Sequence, residues 1–280
     1  MSAARPPGRD GNSGHAGNSG NGSHDRPAAG RGRKAPASAP GAAALAPIRQ
    51  RLARLDWTEL RRSLARWGYA RTGAVLTPAE CRALVAMFRD DARFRSRIHM
   101  ERFRFGAGDY AYFGDPLPPL VRDLRTHAYP YLASVANEWM EALGEPFRYP
   151  ARLKAYLERC HAGGQTRPTP LLLRYTQDGY NALHQDLYGP LKFPLQMTAF
   201  LSRPGEDYEG GAFLLVEQHP RQQSRGEALL PEQGELVIFP SDARPVQGTR
   251  GWYRAHARHG VARVLRGERY ALGIIFHDAQ

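Results

Sequence analysis

The chain is poor in cysteine. Its 280 residues hold two, Cys81 and Cys160, outside any Cys-x-x-Cys pattern. That excludes a disulfide framework and a cysteine-based zinc site, and makes two buried thiols the expectation. Long apolar runs are also missing, and no stretch approaches the ~18 residues of a membrane-spanning helix. The N-terminus lacks the short apolar core of a secretory signal, so a reducing cytoplasm and no membrane partner are expected. No internal repeat is visible. Large apolar side chains are nearly absent from residues 1–46, which are built of Gly, Ser, Asn, Pro, Ala and Arg. Residues 1–47 are therefore expected to form a disordered basic tail.

What remains is enough for a folded domain over 48–280. The chain is 42% hydrophobic and 24% charged, as globular proteins are. Its net charge is +12; the first 47 residues contribute +4, so the folded part keeps +8 of its own. Polyanions are the partners such a balance favours.

Order is expected to begin near Ile48. Ile48, Leu52, Leu55, Leu60, Leu64 and Trp67 fall mostly three or four apart, predicting an amphipathic helix or a broken pair of helices. Thr77-Pro78-Ala79-Glu80 is a helix start with a capping box. A longer helix is expected from about Pro118 to Leu143, kinked or interrupted at Pro130. Between the two, Phe103-Arg104-Phe105 and Tyr110-Ala111-Tyr112 flank a Gly-rich turn and read as a hairpin. From Leu171 on, short strands alternate with turns: Leu171–Tyr175, Leu195–Leu201, Ala212–Val216, Ala228–Leu230, Leu236–Phe239 and Tyr270–Phe276. Helices first and strands later predict an α+β protein, with helices packed on a β-sandwich or jelly roll. The helical and hairpin part would span 48–165 and the strand-rich core 166–280.

The chemistry-bearing residues lie in the strand-rich part. His184 and Asp186 are two apart, so on a strand both point to one side. With 10 histidines and 13 aspartates, about half a His-x-Asp pair arises by chance, so this motif alone is weak. His259 lies far enough downstream for several strands to return it to the same place. Two imidazoles and a carboxylate can hold a ferrous ion on one face and leave the opposite face open. Arg269 follows His259 by ten residues, and Ala262–Gly267 can turn the chain so that the two sit on neighbouring strands. An arginine there can hold a carboxylate by a bidentate pair. His256, His277, His161 and His219 lack this context and are assigned to no metal; His161 and His219 read as loop residues.

The segment Leu171–Phe276 resembles the double-stranded β-helix of Fe(II)/2-oxoglutarate dioxygenases, in particular their prolyl-hydroxylase-like branch. Tyr175 and Gly179 before His184-x-Asp186, Gly210-Gly211-Ala212-Phe213, Gly234 to Pro240, and His259-Gly260-Val261 with Arg269 carry the likeness in order. The resemblance implies a jelly-roll core with His184, Asp186 and His259 as iron ligands. It also implies that 2-oxoglutarate and dioxygen take the open iron positions, with Arg269 on the distal carboxylate and the Tyr175 hydroxyl on the same co-substrate. Decarboxylation to succinate would then drive attack on an unactivated C–H bond. Ascorbate is a further reductant that the resemblance allows.

From the Thr77 helix to the C-terminus, the chain is similar to a bacterial group of oxygenases described as acting on damaged DNA by oxidative demethylation. Phe200–Gly205 and Pro245–Gly251 carry much of that likeness. Arg102, Phe103, Arg104, Tyr110 and Tyr112, with alternating cations and rings, would suit an extruded base of damaged or single-stranded nucleic acid. One position departs from the alkylation-repair dioxygenases: where they carry a second arginine, six residues after the first, this chain has Ile275. A protein or peptide hydroxylase of the prolyl type is the alternative. A basic nucleic-acid-binding module with a vestigial iron site is the alternative of another class.

Overall fold

The computed structural model describes residues 46–280. The expected disordered tail lies outside the described residues, apart from Ala46 and Pro47. The first helical stretch is broken in two, α1 (Ile48–Ala53) and α2 (Trp57–Trp67). The second starts where the Asp56 carboxylate accepts the Glu59 N–H. After β1 (Ala70–Ala74) comes α3 (Pro78–Met87), with the full capping box. Glu80 N–H donates to Thr77 Oγ1, and Thr77 N–H donates back to the Glu80 carboxylate.

Next come β2 (Phe94–His99), β3 (Gly106–Ala107), β4 (Asp109–Phe113), α4 (Pro119–Ala142) and α5 (Leu153–Ala162). Three expectations change here. The hairpin partner of β4 is β2, while Met100–Phe103 forms a 3-10 turn and β3 pairs elsewhere. Arg104 adopts a left-handed backbone at φ 58°, which ends the extended run between Phe103 and Phe105. The long helix runs on through Pro130, which lies on its exposed side. His161 sits in α5, not in a loop.

The remaining strands are β5 (Leu171–Tyr175), β6 (Tyr180–His184), β7 (Leu195–Phe200), β8 (Tyr208–Gly210), β9 (Phe213–Gln218), β10 (Arg225–Leu229), β11 (Glu235–Pro240), β12 (Ala243–Gly248), β13 (Gly251–Val261), β14 (Val264–Gly267) and β15 (Arg269–Ile275). One antiparallel sheet has the order β1-β11-β7-β15-β5-β4-β2 and the other β10-β9-β13-β6-β3, with β12 beside β13. Apart from the β9–β10 and β12–β13 hairpins, the chain passes back and forth between the sheets: β5, β7, β11 and β15 lie in the first, and β6, β9, β10, β12 and β13 in the second. That topology is a jelly roll.

The central strands β7, β11 and β15 of the larger sheet are buried on both faces. Leu195, Met197 and Ala199 of β7 join Leu272 and Ile274 of β15 in the core shared with Leu124, Tyr129 and Leu132 of α4. The alternate residues look inward: Gln196 and Thr198 of β7, with Arg269, Ala271, Gly273 and Ile275 of β15, line a cavity between the sheets. Phe200, Phe213, Val237 and Phe239 close the space beside it. The helices thus brace one face of a sheet whose other face carries the chemistry.

Candidate active site

Two cross-strand pairs define the site, one on each sheet. On the smaller sheet His259 of β13 stands opposite His184, the last residue of β6. Their ring centroids are 4.2 Å apart. Asp186 follows β6 and turns its carboxylate between them: His259 Nε2 lies 3.2 Å from Oδ2 and His184 Nε2 lies 3.7 Å from Oδ1. One ligand atom from each of the three falls within 4.8 Å of the others. The Gly after His259 has a steric reason. A Cβ at Gly260 would stand 2.6 Å from the Asn181 carbonyl oxygen, so only glycine lets β13 lie this close to β6.

The protonation pattern fits a cation at this point. His184 Nδ1 is 2.8 Å from the Ala182 carbonyl, which can only accept, so Nδ1 carries the hydrogen and the neutral ring keeps a lone pair on Nε2. Burial, then the neighbouring His259, lowers the His184 pKa. Two protonated rings this close would repel. Burial alone would raise the Asp186 carboxyl, but the charge and hydrogen bond of His259, with His184 and Tyr188, hold it well below the usual carboxylate range. Two imidazole nitrogens and one carboxylate are the donor set of a ferrous facial site.

On the larger sheet Arg269 of β15 stands opposite Tyr175 of β5. The Arg269 guanidinium lies 5.5 Å from the Tyr175 ring and 5.3 Å from that of Phe200. The side chain is 2% exposed, and among the described residues it has no acidic partner; its Nε makes no hydrogen bond. Burial lowers the Arg269 pKa, with Tyr175 and Tyr208 opposing. A buried guanidinium without a counter-charge is costly, and an anion placed against this wall would offset that cost. The Tyr175 hydroxyl accepts a hydrogen bond from Asn181 Nδ2 at 3.2 Å. Gly211 makes room for the arginine: at φ +57° it has no Cβ to meet Arg269 Cδ at 2.9 Å.

The spacing predicts His259 and Arg269 on neighbouring strands, but they lie on different sheets. Val264–Gly267 is a strand paired with β8 rather than a turn, and it carries the chain from one sheet across to the other.

Both pairs line one cavity of about 400 Å³. Of the predicted substrate residues, Arg104, Tyr110 and Tyr112 line it, whereas Arg102 and Phe103 do not. Ile275, the position of the missing second arginine, lines it too, so the wall is apolar there. Sequence reasoning missed Phe105, Asn181 and Tyr188. Tyr188 donates to the Asp186 carboxylate and continues the alternation of His184 and Asp186 by two more residues, a signal that was readable. The other histidines have separate partners: His161 pairs with Asp278, His219 with Glu217, and His277 Nδ1 accepts the Phe193 N–H. His256 lies exposed on β13.

Comparison with solved structures returns a prolyl-4-hydroxylase of Pseudomonas putida and an oxidoreductase of the 2OG-Fe(II) oxygenase family from Burkholderia pseudomallei. The first is 15% identical with a TM-score of 0.44, covering 80% of this chain and 99% of its own; the second is 14% identical with a TM-score of 0.45, covering 80% and 92%. Two uncharacterized proteins of Mycobacterium tuberculosis, from strains CDC 1551 / Oshkosh and ATCC 25618 / H37Rv, are each 49% identical over 167 residues, covering 60% of this chain and 72% of theirs. Residues 108–279 match the profile of a family described as an oxygenase catalysing oxidative methylation of damaged DNA, a span that takes in both cross-strand pairs, and the chain belongs to that oxygenase family.

Proposed function

We propose that the chain is an Fe(II)- and 2-oxoglutarate-dependent dioxygenase that oxidises a methylated base of damaged nucleic acid. Residues 48–280 act as one catalytic domain, with the jelly roll over 166–280 and its support over 48–165. One observation carries the co-substrate assignment: Arg269, buried and without an acidic partner among the described residues, lines the same cavity as His184, Asp186 and His259 but stands on the other sheet. A dicarboxylate with one end at the metal and the other at a guanidinium fits that division.

His184 Nε2, His259 Nε2 and an Asp186 carboxylate oxygen would hold the ferrous ion. When bound, iron with dioxygen and 2-oxoglutarate supplies the oxidant for C–H hydroxylation, with succinate and carbon dioxide as the other products. The chain's own residues bind, orient and exclude water. Arg269 pairs with the distal carboxylate of the co-substrate, and the Tyr175 hydroxyl donates to the same molecule. Tyr188 fixes the Asp186 carboxylate, and Leu171, Leu173, Phe213 and Ile275 keep the cavity largely apolar. Arg102, Phe103, Arg104, Tyr110 and Tyr112 lie toward the substrate.

An N-methyl group hydroxylated at carbon becomes a hemiaminal, which releases formaldehyde and leaves N–H. The oxidative reaction thus removes the methyl group. The decisive experiment offers methylated oligonucleotides and proline-containing peptides side by side to the iron-loaded protein with 2-oxoglutarate. Succinate and formaldehyde in equal amounts from the oligonucleotide are expected. One oxygen atom gained by the peptide would instead make the protein a peptide hydroxylase. No succinate under any condition would make it a binding module.

A further inference from the structure

Around the cavity the chain leaves a group of large apolar side chains in water. Phe103 and Phe105 are 53% and 49% exposed, and their rings stack at 5.6 Å with 19° between planes. Tyr180 and Leu183 on β6, and Leu187 beyond it, are exposed as well. These residues share one rim. β3 pairs with β6, placing Gly106 opposite Asn181, and the Ala182 N–H donates to the Phe105 carbonyl at 2.8 Å. The aromatic turn is thereby bolted to the strand that ends in His184. Arg104, Phe105 and Leu183 reach into the cavity lining, whereas Phe103 stays outside.

Scattered exposed apolar residues are ordinary, but a contiguous group at the entrance of a site marks what the site touches. Charge decides the kind of partner. Arg102 precedes Phe103 and Arg104 lies between the two phenylalanines, and among the described residues neither has an acidic partner. The chain as a whole uses arginine: of its 39 basic residues, only Lys34, Lys154 and Lys192 are lysine. Arginine is the cation that pairs with phosphate through two parallel bonds and also stacks on planar rings.

We propose that the Phe103–Phe105 turn is a stacking platform for bases next to the one being oxidised, and that the enzyme takes single-stranded rather than duplex nucleic acid. His259 and Asp186 are buried, at 8% and 9% exposure, so a base must leave its stack to reach them. In a single strand the neighbouring bases have free faces, and half-exposed phenyl rings accept any of the four. Arg102 and Arg104 hold the phosphates on either side. This inference rests on the reading of the substrate as nucleic acid, and it assigns the strandedness and the residues that read it.

The test measures binding of a fluorescent oligothymidylate, and of the same strand annealed to its complement, by anisotropy, using the full-length protein without iron or 2-oxoglutarate. The single strand is expected to bind more tightly. Phe103→Ala with Phe105→Ala weakens it by about tenfold or more per ring, with the salt dependence unchanged. Arg102→Ala with Arg104→Ala instead lowers the slope of log affinity against log salt by about 1.4. Phe103→Trp with Phe105→Trp, which keeps both π faces, restores binding and separates stacking from a folding defect. Equal affinity for strand and duplex, no loss in the double alanine variant, or an acidic proline-containing peptide outcompeting the strand would each overturn the proposal. Because no turnover is read, strand binding without succinate formation refutes the proposed reaction alone, and succinate formation without strand preference refutes this inference alone.

Discussion

Tyr188 donates its phenolic hydrogen to Oδ1 of Asp186 at 2.6 Å. The Tyr112 hydroxyl donates in turn to that of Tyr188 at 3.1 Å. Oδ1 is thereby engaged from outside the His184–His259 pair, and Oδ2 is the oxygen nearest His259. Burial, with Asp186 next to it, raises the Tyr188 pKa far above the ordinary phenol range, so the hydroxyl stays a donor. Tyr188→Phe is expected to weaken binding of ferrous or manganous ion by about 10- to 100-fold while the fold persists. Metal titration by calorimetry on the two proteins decides it, and equal affinities would remove Tyr188 from any positioning role.

Arg269→Ala takes away a buried cation on the larger sheet's cavity face and leaves the histidine pair on the other sheet untouched. The 2-oxoglutarate dissociation constant is expected to rise by about 30-fold or more, the usual worth of a charge-assisted pair, with metal affinity unchanged. Calorimetric titration of the metal-loaded protein with 2-oxoglutarate checks both halves. A variant that binds 2-oxoglutarate as well as the parent would show that the anion lies elsewhere.

His184→Ala and Asp186→Ala each leave two donors where three converge. Succinate formation is expected to fall to background in both, and metal binding to weaken by at least tenfold. Retained turnover in either would overturn the assignment of the triad.

His277 supplies a pH dependence. Its Nδ1 accepts the Phe193 N–H at 3.1 Å, which needs an unprotonated nitrogen, and the ring is fully buried. Burial, then Arg125, lowers its pKa from 6.5 to about 4; Asp186 and Asp278 act the other way, and Lys192 with Arg125. A depressed pKa means that the unfolded chain takes up the proton first. Stability from this group is therefore complete above about pH 6.5 and is lost as pH falls toward 4, on the order of 3 kcal/mol in all. Urea unfolding between pH 7 and pH 4 should show this slope in the parent and a shallower one in His277→Gln. Parallel profiles would remove His277 as the cause.

The fold was legible where burial is two-sided. β5, β7, β11 and β15 lie in a sheet packed on both faces, so their apolar runs stand out even without alternation. β13 is longer than any of them and escaped. Its outward positions are Trp252, Arg254, His256 and Arg258, and its inward ones include Ala255, Ala257 and His259, a pattern with little hydrophobic contrast. The α5 helix escaped because polar and charged residues separate its buried Leu153, Tyr156 and Cys160. The clustering of His184, Asp186 and His259 was legible because metal chemistry fixes the residue types and spacing of a candidate site. The arrangement of His259 and Arg269 was not, since sequence separation does not say in which of two sheets a strand lies. Phe105 and Asn181 were hidden for a related reason: they join the cavity through the pairing of β3 with β6, a long-range contact with no local signature.

The division of the cavity between two sheets has a mechanical consequence. In the proposed assignment, a dicarboxylate anchored at Arg269 on one sheet and, through a cation, at His184, Asp186 and His259 on the other would be a strut across the sandwich. Loading the site would then brace the whole jelly roll rather than one loop, and cation and dicarboxylate would reinforce each other because either alone ties down only one side. Resistance to unfolding would then rise with how fully both are present, and resistance to heat would be a gauge of readiness to react.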